Sequence, residues 1–99
     1  MNYSFYVIDD DLACRRILAQ IIEGEGLGEV VGELPDGRGD VVAKIMYKLP
    51  DVVLIDLLMP GKDGIEIAER LKERDFSGKI VMISQVENKD MVAQALKKI

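Results

Sequence analysis

Histidine is absent from the 99 residues, and cysteine occurs once, at Cys14. These two gaps exclude the usual zinc sites, which need several imidazole or thiolate ligands. A lone thiol cannot close an internal disulfide, so a reducing cytoplasm is the expected setting. Any metal ion would have to be a hard cation held by carboxylates. Long apolar runs are missing too. Nothing approaches the roughly 18 residues of a membrane helix, and no signal-peptide pattern opens the chain. Positive charge is in the minority, and a net charge of -5 argues against nucleic acid as a direct partner of this segment. Repeats and low-complexity tracts are absent as well. What remains is one domain of ordinary globular composition, 48% hydrophobic and 31% charged.

The stretch Val52-Val53-Leu54-Ile55-Asp56 organises the rest. Four apolar residues, three of them β-branched, read as a strand buried on both faces, as in a parallel sheet. Such a strand has no room for a carboxylate inside it, which puts Asp56 at its carboxyl end, where open α/β sheets place their ligand sites. A first strand runs from Tyr3 to Ile8 and ends in Asp9-Asp10-Asp11. A helix follows from Leu12 to Glu23, capped by Asp11, with Leu12, Ala13, Ile17, Leu18, Ile21 and Ile22 on its apolar face and Gly24 and Gly26 as its stop.

Glu29 to Leu34 reads as a second strand, and Pro35-Asp36-Gly37 as a turn. A second helix runs from Gly39 to Lys48 with Val42, Ile45 and Met46 inward, and Pro50 ends it. After the Asp56 strand, Asp63 and Gly64 open a third helix with Ile65, Ala68 and Leu71 on one face. Lys79 to Ser84 is a fourth strand, and Asn88 caps a last helix whose stripe is Met91, Val92, Ala95, Leu96 and Ile99. The alternation predicts a parallel sheet with helices on both faces and right-handed crossovers. A helix that stops at Ile99 with no cap, beside an apolar fourth strand left at an edge, reads as an N-terminal piece of something longer.

Three strand ends then supply polar groups to one rim: Asp9 and Asp10, Asp56, and Ser84. Clustered carboxylates repel unless neutralised, and Mg2+ does this with a few carboxylates, a carbonyl and waters. A carboxylate beside Mg2+ can act as a nucleophile toward phosphorus, and the Ser84 hydroxyl could hydrogen-bond the transferred group. Taken singly, a pair of Asp residues after a strand is usually a turn or cap, and a serine there a strand terminus. Asp56 differs, because burying it without purpose against four apolar neighbours would cost several kcal/mol.

Ile8-Asp9-Asp10, Asp56-Leu57-Leu58-Met59-Pro60-Gly61-Lys62-Asp63-Gly64 and Ile83-Ser84 resemble the receiver domain of bacterial two-component response regulators. The resemblance covers the whole chain in order. It implies a flavodoxin-like (CheY-like), doubly wound α/β/α sandwich whose fifth strand and helix would lie beyond residue 99. It also implies that Asp56 accepts a phosphoryl group from a sensor histidine kinase. Asp9, Asp10, Asp56 and the backbone carbonyl of Leu58 would hold Mg2+, and Ser84 would be the switch hydroxyl. Ala13, Cys14 and Ile17 match first-helix positions through which receivers touch the kinase, with ordinary packing as the alternative. The output domain expected beyond residue 99 would be transcriptional, and a homodimer is allowed.

Departures from the family pattern carry their own expectations. The lysine and aromatic switch residue of the family's fifth strand have no counterpart within the 99 residues. Leu58 and Val86 are apolar where they could otherwise orient a water, and Gln85 is large enough to shield the phosphoryl group, so autodephosphorylation should be slow. Ser84-Gln85-Val86 and Val31-Gly32-Glu33 faintly resemble regulators of glutamine utilisation. Arg15-Arg16 reads as a solvated face. Gly24, Gly26 and Gly28 follow a helix and precede a strand, the wrong order for a dinucleotide loop. Two other functions compete. One is a Mg2+-dependent phosphatase of the haloacid dehalogenase type, disfavoured because Leu58 stands where its acid/base Asp should be. The other is a pseudo-receiver acting by protein contact alone, disfavoured by the intact acidic set.

Overall fold

A computed structural model describes residues 2–56 and 64–83. Its elements run β1 (Tyr3–Ile8), α1 (Leu12–Gly24), β2 (Gly28–Leu34), α2 (Val41–Lys48), β3 (Val52–Asp56), α3 (Gly64–Glu73) and β4 (Lys79–Ile83). The strands form one parallel sheet in the order β2-β1-β3-β4. That is the doubly wound α/β arrangement the alternation predicts. Ser84, Leu58 and the expected helix capped by Asn88 lie outside the described residues. No helix among the described residues is long and apolar enough to cross a membrane.

Side chains of the two central strands alternate between the faces of the sheet, as a period of two requires. Phe5, Val7, Val52 and Leu54 meet Leu18, Ile21 and Ile22 of α1 on one face. Tyr6, Ile8, Val53 and Ile55 meet Val41, Val42 and Ile45 of α2 and Ile67 and Leu71 of α3 on the other. Every residue of β3 is buried, as the apolar run predicts. Each buried apolar side chain contributes about 1.5–3 kcal/mol, whereas the exposed Glu66–Arg70 pair at 3.9 Å is worth about 0.3–0.5 kcal/mol. Apolar packing holds the fold together.

Several helix faces differ from the periodic reading. Leu12 is 53% exposed and Ala13 is exposed, both in the first turn of α1. Ile65 is 56% exposed, and the buried stripe of α3 is Gly64, Ile67 and Leu71. A spacing of three drifts around a helix of 3.6 residues per turn, so one of the three expected positions turns outward. Met46 is half-buried against the α2–α3 face. α2 starts at Val41 because the Asp40 carboxylate accepts from the Ala43 N–H at 3.1 Å and caps it there. Its end is set by Leu49, whose left-handed conformation (φ 46°) closes the last turn onto Ile45.

Two close approaches shape the sheet near its carboxyl edge. A bulge in β2 shifts the register so that Phe5 pairs with Val30 and Tyr6 with Gly32. The Tyr6 ring then lies over Gly32, where a Cβ would come within 2.3 Å of it. At Gly64, a Cβ would lie 2.5 Å from the backbone oxygen of Asp56, 2.8 Å from Ile55 Cγ2 and 2.9 Å from Met82 Cε. Only glycine lets α3 start this close to the end of β3. At the opposite edge, Asp51 accepts from the Ser4 N–H (2.8 Å) and Ser4 Oγ (3.1 Å), while Ser4 Oγ accepts from the Asp51 N–H (3.0 Å).

Gly64→Ala is therefore expected to lower stability by about 1–3 kcal/mol through overpacking against backbone that cannot step aside. Ser4→Ala, at an exposed clasp, should cost about 1 kcal/mol. Urea unfolding of the two variants checks the order.

Candidate functional site

The carboxyl ends of β1 and β3 lie side by side, because these strands pair from Phe5↔Val52 to Ile8↔Ile55. Asp56 closes β3, and Asp9 and Asp10 follow β1 directly. One carboxylate oxygen from each of Asp9, Asp10 and Asp56 lies within 4.8 Å of the other two. Asp9 is 4% exposed and Asp56 8%, while Asp10 faces solvent. Two unit charges at that separation repel by about 3–4 kcal/mol at an effective dielectric near 20. An all-oxygen donor set of this kind suits Mg2+, Ca2+ or Mn2+ and not the softer metals. The cluster fits a hard divalent cation.

Local hydrogen bonds fix the buried acid in place. The Asp9 N–H donates to the Leu34 carbonyl at 3.1 Å, and the Asp11 N–H donates to Asp9 Oδ1 at 2.9 Å. Asp11 in turn caps α1 by accepting from the Ala13 N–H at 2.8 Å. Arg15 Nη1 donates to the Asp9 carbonyl oxygen at 2.6 Å, and its Nε lies 3.3 Å from Glu33 Oε1 on β2.

Arg15-Arg16 reads in the sequence as a solvated face. Arg16 is exposed, but the Arg15 side chain is only 13% exposed and belongs to the site's surroundings. A signal was present: Arg15, Leu18 and Ile22 share one helical stripe, so an inward arginine needed polar partners waiting for it.

The structure thus brings together Asp9, Asp10 and Asp56 of the expected site. Ser84 and Leu58 lie outside the described residues. Of the expected kinase-contact positions, Ala13 is exposed, Cys14 is half-buried, and Ile17 is half-buried against the α1-side core.

Comparison with known proteins points the same way. The response regulator receiver domain family matches residues 5–98. The chain is 54% identical over 91 residues to the transcriptional regulatory protein GlnL of Bacillus subtilis (strain 168), covering 92% of this chain and 29% of that protein. It therefore spans less than a third of that relative's length. It is 33% identical over 92 residues to the chemotaxis protein CheY of Listeria monocytogenes, covering 93% of this chain and 76% of that protein. Among solved structures, the CheX–CheY–BeF3–Mg2+ complex from Borrelia burgdorferi contains a chain that superposes with a TM-score of 0.74 at 28% identity. That match covers 97% of this chain and 72% of the other.

Burial pushes the Asp9 carboxyl above its ordinary value of 3.8. The neighbouring charges of Asp10 and Asp11 add to the rise, while the Asp11 N–H and Arg15 oppose it. A carboxyl raised on folding stays protonated in the native state while the unfolded chain ionises. Its contribution to stability is therefore complete below the unfolded value and is lost as pH rises through the native one. In EDTA, Asp9→Asn is expected to match wild type near pH 3.5 and to become more stable than wild type as pH rises toward 7. Thermal unfolding across that range measures the difference.

Proposed function

The chain belongs to the response regulator receiver domain family, and from that premise we propose that Asp56 accepts a phosphoryl group from a sensor histidine kinase. The observation that carries this reading is the convergence of Asp9, Asp10 and Asp56 within 4.8 Å at the ends of two adjacent strands. A carboxylate oxygen of Asp56 bonds to phosphorus as the donor's P–N bond breaks, and the imidazole leaves with the electron pair. Asp9, Asp10, Asp56 and the carbonyl of Leu58 would hold Mg2+, which supplies charge neutralisation for the incoming phosphoryl oxygens.

The chain's own residues do the remaining work. Burial of Asp56 limits the access of bulk water to the acceptor, the Asp11 N–H holds the Asp9 carboxylate that faces it, and the bond from the Asp9 N–H to the Leu34 carbonyl anchors the backbone there. Ser84, placed by the motif one residue past β4, would donate its hydroxyl to the phosphoryl group. A phosphoryl group adds about -1.5 to -2 charge with strong acceptor oxygens, enough to bias a two-state loop beside it.

The output is proposed to be transcriptional, carried by a domain outside these 99 residues. Similarity to a transcriptional regulatory protein over 29% of that protein's length supports this. Kinase contact through Ala13, Cys14 and Ile17 is proposed on the family's pattern, with homodimerisation as an available mode. The proposed setting is the cytoplasm, where a kinase donor and the lone Cys14 thiol both fit. The domain itself is a phosphoacceptor and turns over no other substrate.

Incubation with acetyl phosphate and Mg2+, followed by intact-mass measurement, tests the proposal. A phosphoryl adduct should form on wild type, require Mg2+, disappear in Asp56→Asn, and outlast seconds because Leu58 and Val86 cannot orient a water. Consumption of acetyl phosphate without an adduct would indicate a phosphatase, and no reaction a pseudo-receiver. Loss of the label within seconds would contradict the role given to Leu58 and Val86.

A further inference from the structure

We infer that Arg15 is a positioning residue for the cation site, bracing the β1–α1 turn against β2 so that the acidic set is prearranged before any ion arrives. The inference rests on the Mg2+ reading above and goes beyond it, since Arg15 is not among the residues that would touch the ion. The Asp9 carbonyl that Arg15 Nη1 grips at 2.6 Å belongs to the planar peptide leading into Asp10. The orientation of that peptide sets where the Asp10 carboxylate leaves the backbone.

The other end of the brace is equally specific. Arg15 Nε lies 3.3 Å from Glu33 Oε1, and Glu33 pairs with Val7 in the β1–β2 register. One planar guanidinium, delivering several donors in fixed directions, thus ties the turn to the neighbouring strand. The Asp9 residue is consequently held at its N–H by Leu34, at its carboxylate by Asp11 and at its carbonyl by Arg15.

Charge and geometry make opposite predictions here. A cation near three carboxylates should weaken the binding of a second cation, so its removal would tighten Mg2+ binding if charge were all that mattered. Glu33 balances the guanidinium, and what reaches the acidic set is a directional, charge-assisted hydrogen bond. Loss of the brace should therefore weaken Mg2+ binding. Removing the outer partners of a metal site costs on the order of tenfold in affinity.

Calorimetric titration of Mg2+ into the metal-free protein reads the effect without any phosphotransfer. Arg15→Ala is expected to bind Mg2+ about tenfold more weakly than wild type. Arg15→Lys, which keeps the charge but lacks the fork that spans Asp9 and Glu33, should bind several-fold more weakly too. Equal or tighter binding by either variant overturns the inference, and Arg15→Lys carries the test if Arg15→Ala fails to fold in EDTA melts. A wild type that binds no Mg2+, or binds it unchanged after Asp10→Ala, overturns the underlying cation-site reading and the brace with it.

Discussion

Mutual repulsion among Asp9, Asp10 and Asp56 is the constraint around which the rest of this domain is arranged. Two of the three are buried, and their oxygens lie within 4.8 Å of each other. Left to itself, such a set would spread into water. It stays together because β1 and β3 are adjacent and filled with apolar side chains on both faces, so neither strand end can retreat without opening the core. Hydrophobic burial, which has no preference for where charges sit, supplies the force that keeps them close. Hydrogen bonds donated to Asp9 by Asp11 and Arg15, and by the Asp9 N–H to the Leu34 carbonyl, then choose one arrangement from those the packing allows.

Much of this was legible in the chain because the two central strands obey simple rules. Val52 to Ile55 is apolar without interruption, so it had to be buried on both faces, and the acid after it had to sit at an end. The same logic applied to Tyr3–Ile8 and the aspartates that follow. Parallel pairing of these two strands made the meeting of their acids nearly inevitable, and that part of the site was readable before any coordinates.

The parts that were not legible depend on partners that sequence spacing does not reveal. Leu12 and Ile65 are apolar, and a periodicity argument pulls every apolar residue inward. Leu12 opens α1 just past the end of β1, and Ile65 falls off the buried stripe of Gly64, Ile67 and Leu71. Arg15 departs from expectation for the complementary reason. Its charge suggested solvent, yet it occupies the inward stripe of α1 and finds a carbonyl and a carboxylate there. The β2 bulge opposite Phe5 and Tyr6 could not be foreseen, since register is a property of two strands and of the Tyr6 ring seated on Gly32.

Gly64 carries a geometric consequence. Around its Cα converge the backbone of Asp56, the side chain of Ile55 and the end of Met82 on β4, with no room for even one added methyl. Two of these three neighbours belong to β3 itself, while Met82 reaches the site with the free end of a flexible side chain. The start of α3 is seated directly on the end of β3, packed as closely as the backbones allow. The absence of a side chain at Gly64 thus makes the strand that ends in Asp56 and the helix that follows it neighbours at backbone distance.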